Sequence, residues 1–222
     1  MSDTSQTSPQ LGIGDILAAD LTDWRLLAQD LHARFRTGAF ATGLDFVTAV
    51  GGAAETAGHH PGIRLEYGWV DLTLRTHEVG GVTRRDVDLA LRISAIARAM
   101  GLPSEPGALA EVELALDTAM VPEQGPFWAS LLTGSTANAA GDDVVDPARR
   151  VPLLWFQHTD SDRPDRQRFH LDVWVPHDVA QRRIDAALAA GGTLVTDEYA
   201  PSFVVLADPE GNRVCVCTCL ER

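Results

Sequence analysis

The stretch ETAGHHPGIRLEYGWVDLTLRTHE, running from Glu55 to Glu78, holds three of the chain's seven histidines: His59, His60 and His77. Upstream of the histidine pair, Leu44, Val47, Val50, Ala54 and Ala57 recur at intervals of three and four. That spacing predicts a helix over 41–58, with Gly58 and Pro61 as its stop. Downstream, Val70, Leu72 and Leu74 alternate with Asp71, Thr73 and Arg75, so 69–76 reads as a half-buried strand with His77 at its end. Gly80-Gly81 breaks that strand. Thr83-Arg-Arg-Asp86 then has the spacing of a capping box, with Asp in place of the preferred Glu or Gln. Val87, Ala90, Ile93, Ala97 and Met100 carry a second helical stripe to Gly101. Towards the N-terminus, a short helix is expected over 13–21. Leu31, Ala33 and Phe35, alternating with His32 and Arg34, mark a strand within 24–35. Residues 1–12 are polar and expected to be disordered.

At 222 residues the chain is one large domain or two of about 100 residues each, and two is the expected count. Hydrophobic residues at 45% supply an ordinary core, and charged residues at 22% keep its surface wet. The balance of 18 basic against 31 acidic side chains opposes binding to phosphate backbones or anionic membranes, so neither nucleic acid nor membrane is an expected partner. No run of about 18 apolar residues occurs, and the start MSDTSQTSPQ has neither a basic nor an apolar signal region. A cytoplasmic location is expected. Cys215, Cys217 and Cys219 are too far apart along a strand for easy bridging and read as reduced core thiols.

Leu102 to Gly107, with Pro103 and Pro106, ends the periodicity and is the expected linker, which places the boundary near 104 and domains over 14–103 and 108–222. Beyond it runs a weak repeat. Glu111 to Asp117 followed by a helix through Phe127 to Leu132 matches His170 to Val175 followed by a helix through Ala180 to Ala190. Asp146-Pro147 before Val151 to Gln157, and Asp208-Pro-Glu-Gly-Asn212 before Val214 to Thr218, each read as a turn leading into a strand. Ser135 to Asp146 and Asp160 to Gln167 read as loops.

Adjacent histidines are more often surface residues than catalysts, but the setting of this pair is specific. Glu55 stands four residues before His59, one helical turn away, where its carboxylate can orient the imidazole. The carbonyl end of the same helix favours a nearby imidazolium. If the strand packs beneath the helix, His77 faces the same hollow, and two histidines can hold one proton and accept another.

Glu55, His59-His60-Pro61, Tyr67, His77 and Asp86, at these spacings, resemble the signature of the pterin-4a-carbinolamine dehydratases. Phe40 to Phe46, Thr76-His77-Glu78, Gly81-Val82-Thr83 and Asp86 to Ala90 extend the likeness over about 14–101. The resemblance implies an α+β fold whose N-terminal half is an antiparallel four-stranded sheet with helices on one face. It implies removal of water from 4a-hydroxytetrahydropterin to give quinonoid dihydropterin, with His59, His60, His77 and Glu55 catalytic and His60, Thr76, Glu78 and Asp86 contacting substrate. Within that set His59 with Glu55, and His77, are the acid and base, and His60 mainly holds the pterin. A carbinolamine loses its oxygen when that oxygen is protonated and the neighbouring nitrogen's lone pair forms the C=N bond, so no cofactor is implied. A homodimer is. Asp86 reads equally as a helix N-terminal carboxylate, and Tyr67 and Trp24 as walls of the pocket or, more often, as core. Which histidine donates, and which pterin side chain is preferred, the sequence leaves open.

The second half resembles the glyoxalase-like branch of the vicinal-oxygen-chelate superfamily through Val112 to Asp117, Phe127-Trp128, His170 to Val175, Gly191-Gly192 and Asp208 to Asn212. The resemblance implies paired βαβββ modules curled round a shared cup, with a divalent metal usually held at four inward strand positions. Glu111 and His170 fit two of them. The others fall at Leu153 or Gln157 and at Cys215, an incomplete hard-oxygen set, so no resident metal is expected. His32, His158 and His177 receive no role. Three functions follow: a dehydratase carrying a glyoxalase-like tail, a non-catalytic pterin-binding or dimerisation module attached to that tail, or a tail that is itself a lyase or dioxygenase.

Overall fold

Phe46, Val50 and Ala54, one face of the predicted helix, are each at most 1% exposed in the computed structural model, which describes residues 8–118, 121–133, 135–159, 169–189, 192–207 and 213–221. The chain divides into two units, one formed by 1–109 with Pro176–Asp178 and the other by 110–175 with 179–222. Among the described residues no helix is long and apolar enough to cross a membrane.

In the first unit, α1 (Ile13–Leu17) precedes β1 (Arg25–Leu27), β2 (Asp30–Arg36), α2 (Phe40–Ala57), β3 (Gly62–Leu65), β4 (Trp69–Leu74) and α3 (Arg84–Ala99). The four strands form one antiparallel sheet in the order β1-β2-β4-β3. Alternation decides its two faces. Leu31, Ala33, Phe35, Val70, Leu72 and Leu74 are all buried, and Phe35 meets Phe46 of α2 edge to face at 5.3 Å. Each fully buried Phe or Leu of this kind contributes about 1.5–3 kcal/mol. On the other face Arg34 forms a two-pronged ion pair with Asp71 at 2.6 and 2.7 Å, and its guanidinium lies 5.2 Å from the Trp69 ring centre. That carboxylate raises the Arg34 pKa above its ordinary value, against partial burial.

Several expectations need correction. The helix over 13–21 stops at Leu17. Residues 8–12, expected to be disordered, include Gln10 and Leu11, which lie along 82–83: the Leu11 N–H donates to the Val82 carbonyl and Gln10 bridges Thr83. Residues 1–7 lie outside the described ones. Tyr67, expected in the core, is 74% exposed, because it occupies the turn between β3 and β4 that the Glu66 N–H closes on the Trp69 carbonyl. Trp24 is 2% exposed, and its indole N–H donates to the Ser94 hydroxyl at 3.1 Å.

The second unit repeats one pattern twice. The first copy is β5 (Glu111–Thr118), α4 (Val121–Thr133), β6 (Ala139–Ala140), β7 (Asp143–Val144) and β8 (Leu154–His158). The second is β9 (Phe169–Trp174), α5 (Ala180–Ala189), β10 (Thr193–Thr196), β11 (Phe203–Ala207) and β12 (Arg213–Cys217). One sheet holds all eight strands in the order β10-β11-β12-β9-β5-β8-β7-β6. Within each copy the first strand runs parallel to the last, and the two first strands join antiparallel. Leu116, Leu154 and Phe156 pack with Ala129 of α4, while Val216 and Leu206 pack with Ala180 and Ile184 of α5. The period of two therefore turns Glu113, Asp117, Gln157, His170, Asp172 and Cys215 to the opposite face. The segment expected as a loop over Ser135–Asp146 contains β6 and β7, whose two-residue length is too short to show a period. Asp146 does form the expected turn, accepting from the Ala148 and Arg150 N–H groups. The expected features at Asp160–Gln167, Gly191 and Asp208–Asn212 lie outside the described residues.

Candidate active site

The histidine pair sits where α2 ends. Gly58 closes the helix at φ 57° and ψ 32°, a left-handed conformation that glycine adopts without a side-chain penalty. The chain then reverses, and His59 turns inward to 7% exposure while His60 stays outside. His59 Nε2 lies 2.6 Å from Asp86 Oδ1, and Asp86 is fully buried at the third position of α3. The other carboxylate oxygen, Oδ2, accepts from the Thr83 N–H at 2.8 Å and the Thr76 hydroxyl at 2.6 Å. The Thr76 and Thr83 hydroxyls also meet, at 2.8 Å. An ionised carboxylate can only accept, so with Asp86 ionised His59 carries a proton on Nε2, and Nδ1 is the ring nitrogen outside this bond.

This corrects the expected pairing of Glu55 with His59. Glu55 Oε1 lies 2.9 Å from His60 Nε2, and both side chains are mostly exposed. The i to i+4 argument assumes that the helix continues, but α2 stops at Ala57, and the left-handed turn at Gly58 brings the residue at i+5 over Glu55 instead. At the helix's carbonyl end, the capping residue's carbonyl is taken by an arginine. Arg85 Nη2 donates to the Gly58 carbonyl at 2.7 Å, and Arg85 Nη1 stands 3.7 Å from Glu78. Glu78 and His77 are exposed, in the turn that follows β4, where the Gly80 N–H donates to the Thr76 carbonyl at 3.0 Å. One buried carboxylate therefore ties together the residue that precedes His60 and the residue that precedes His77.

Comparison with known proteins places this geometry in a family. The family model described as pterin 4 alpha carbinolamine dehydratase matches residues 12–96, and the one described as a glyoxalase-like domain matches 113–217. A protein named "Putative pterin-4-alpha-carbinolamine dehydratase" from Cyanothece sp. is 41% identical over 78 residues, 35% of this chain and 80% of that one. The chain belongs to the pterin-4-alpha-carbinolamine dehydratase family. A relative of the same printed name from Nocardia farcinica is 40% identical over 79 residues, 36% of this chain and 83% of its own. Among solved structures, a transcriptional coactivator/pterin dehydratase from Brucella melitensis is 30% identical, covers 40% of this chain and 99% of its own, and superposes with a TM-score of 0.39.

Within this dehydratase-family unit, two residues to which the sequence reading gave no role at the site shape it. Thr83 is wholly buried and caps α3 while bonding Thr76 and Asp86. Arg85 joins the end of α2 to the turn that carries His77. The capping-box spacing locates Thr83 at a helix start but says nothing of the Thr76 contact, and no local pattern marks Arg85. In the second unit, Glu111 pairs in register with Trp174, and Gln157 with Asp117. His170 pairs with Ala115, and Cys215 stands opposite Asp172. Leu153 precedes β8, and its carbonyl accepts the Leu114 N–H at 2.8 Å. Glu111 is not part of the group of potential ligands that includes His170 and Cys215.

Proposed function

We propose that residues 14–103 form a 4a-hydroxytetrahydrobiopterin dehydratase, a hydro-lyase in which histidines move the protons. The observation that carries this reading is the His59–Asp86 clamp: a buried imidazole with one nitrogen fixed by a carboxylate, beside His60 and tied through Thr76 to the turn bearing His77. Family membership supports the same substrate class.

In the reaction the C4a–O bond breaks and its electron pair leaves with the oxygen, which takes a proton and departs as water. The lone pair of the neighbouring ring nitrogen forms the C=N bond, and a base removes the proton from that nitrogen. One proton is delivered and one removed, so the balance needs neither oxidant nor reductant. His59, through Nδ1, and His77 are the acid and base. His60, backed by Glu55, holds the pterin ring, and Glu78 lies in the same turn as His77. Asp86 and Thr76 are buried and bonded to one another, so they serve as positioning residues rather than as the substrate contacts expected from sequence. A cytoplasmic homodimer is part of the reading, and sedimentation of the purified chain tests the dimer.

The deciding experiment follows the decay of freshly generated 4a-hydroxytetrahydropterin. The full chain accelerates it, and His59→Ala and His77→Ala each lower the enzymatic rate by about 10²–10⁴-fold, the range for loss of a general acid or base. A wild-type chain that adds nothing to the spontaneous rate overturns the reading and leaves a non-catalytic binding module in its place.

A further inference from the structure

In the second unit β9 and β12 run parallel with Asp172 opposite Cys215, and His170, two residues before Asp172, shares its face. One imidazole nitrogen of His170, one carboxylate oxygen of Asp172 and the Cys215 sulfur all lie within 4.8 Å of one another. Asp172 is buried, and the other two are half-buried. His170 Nε2 is 3.6 Å from Asp172 Oδ1, too long for a good hydrogen bond. The other ring nitrogen, Nδ1, faces Asp117 Oδ1 at 4.0 Å, and that oxygen is buried without a hydrogen-bond partner.

The 3.6 Å spacing of His170 Nε2 and Asp172 Oδ1 fits a cation between them better than a hydrogen bond. Zinc bonds nitrogen and oxygen at about 2.0–2.2 Å and sulfur at about 2.3 Å, which sets neighbouring ligands on a tetrahedron about 3.3–3.7 Å apart. The 3.6 Å between His170 Nε2 and Asp172 Oδ1 already falls in that range, and the Cys215 sulfur lies within 4.8 Å of the nitrogen and the oxygen. Asp117 completes the arrangement. A metal-bound histidine characteristically donates its second ring N–H to a carboxylate, and Asp117 is a carboxylate whose inner oxygen still has that place to fill.

We propose that the second unit binds one zinc-class divalent ion through His170 Nε2, Asp172 and Cys215, with Asp117 holding His170 and a fourth position left for water or an oxygen-bearing ligand. Thiolate with imidazole selects zinc or cobalt over magnesium, calcium or manganese. Three protein ligands and one open position have the form of a reactive zinc site rather than a structural one. The site draws all its ligands from one βαβββ copy and includes Asp172, which is not among the four inward positions weighed from the sequence. The expectation of no resident metal rested on those four.

The test uses the full chain, stripped with chelator and titrated with Zn²⁺ by calorimetry and with Co²⁺ by absorbance. One equivalent of each ion binds, and Co²⁺ develops the near-ultraviolet thiolate charge-transfer band. Cys215→Ser abolishes the band, Asp172→Asn weakens binding at least tenfold, and Asp117→Asn weakens it about 10–100-fold, the range for loss of an outer-shell partner. Far-ultraviolet circular dichroism establishes that each variant is folded, and Asp117→Asn, which alters no ligand, still tests the site if Cys215→Ser is not. His60→Ala leaves the titration unchanged, which excludes the exposed His60 as the binder. Absence of stoichiometric binding, or a band that survives Cys215→Ser, overturns the proposal.

Discussion

Replacing Asp86 with asparagine tests whether the clamp on His59 is what holds the site together. Asparagine nearly matches aspartate in shape but trades one acceptor for a donor. If its oxygen takes the place of Oδ2, it still accepts from the Thr83 N–H and the Thr76 hydroxyl, and its amide N–H points at His59 Nε2, 2.6 Å away in the wild type. His59 must then accept at Nε2 and carry its proton on Nδ1, the wrong tautomer for the proposed chemistry. In the reverse orientation the amide N–H opposes the buried Thr83 N–H. Either arrangement loses a charge-assisted bond, which contributes about 1.5–3 kcal/mol, so the first unit should lose about 2–3 kcal/mol of stability. Hydrogen exchange read by mass spectrometry localises the loss: peptides from the end of α2 and the start of α3 exchange faster, while those of the second unit do not. The dehydration rate falls by about 10²-fold or more. A cycle with His59→Ala separates clamp from cap, with an interaction of about 0.5–3 kcal/mol expected between the two sites. Wild-type exchange at both helix ends together with a wild-type rate in Asp86→Asn would refute the reasoning.

Gly58→Ala forces a side chain into the left-handed region at φ 57°, at a cost of about 1–2 kcal/mol, and displaces His59 and His60 together; urea unfolding and the dehydration rate should both worsen. Glu55→Gln behaves differently. Its partner His60 is 61% exposed and Glu55 itself 78%, so after solvent screening the pair contributes about 0.5 kcal/mol at most, and unfolding should barely change while KM for the pterin rises. In the second unit, the N–H groups of Arg150 and then Ala148 hold the Asp146 carboxyl below the usual aspartate range. A depressed folded value means that the ionised form supports the turn above the unfolded pKa, and the support is lost as pH falls through the folded value. Asp146→Asn should therefore speed amide exchange over 147–151 at neutral pH, with the difference from wild type shrinking in acid.

The first unit was legible wherever a period ran long enough to be counted. The stripe Val50, Ala54 and the alternation Val70, Leu72, Leu74 each became the buried face of its element, and the capping box at Thr83 and Asp86 formed as spaced. Short pieces were not legible. β3 spans four residues and β6 and β7 two each, and Gly62, Ala139 and Asp143 begin them without any pattern to mark a strand. The site's residue types were readable, but their partners were not. Sequence spacing put Glu55 next to His59 because the i to i+4 rule was carried past Gly58, the stop already marked, and spacing does not show which imidazole a left-handed turn brings over Glu55. Cross-strand register hid Asp172 in the same way, since its place opposite Cys215 depends on how β9 and β12 align.

The two readings of Asp86, helix cap and site carboxylate, turn out not to compete. One oxygen caps α3 through the Thr83 N–H, and the other turns to His59, so a single buried side chain serves both the fold and the site. This has a consequence for what counts as a sign of activity. A chain that had lost the chemistry would still keep Asp86, Thr83 and Thr76, because removing any of them opens a buried hydrogen-bond cluster and weakens the start of α3. His60 and His77 are different: both are exposed, and the packing of the unit does not require an imidazole at either place. Their retention beside a clamped His59 is what the fold alone would not demand. That makes the exposed histidines, rather than the buried carboxylate, the informative positions for telling a working dehydratase from a binding module built on the same frame.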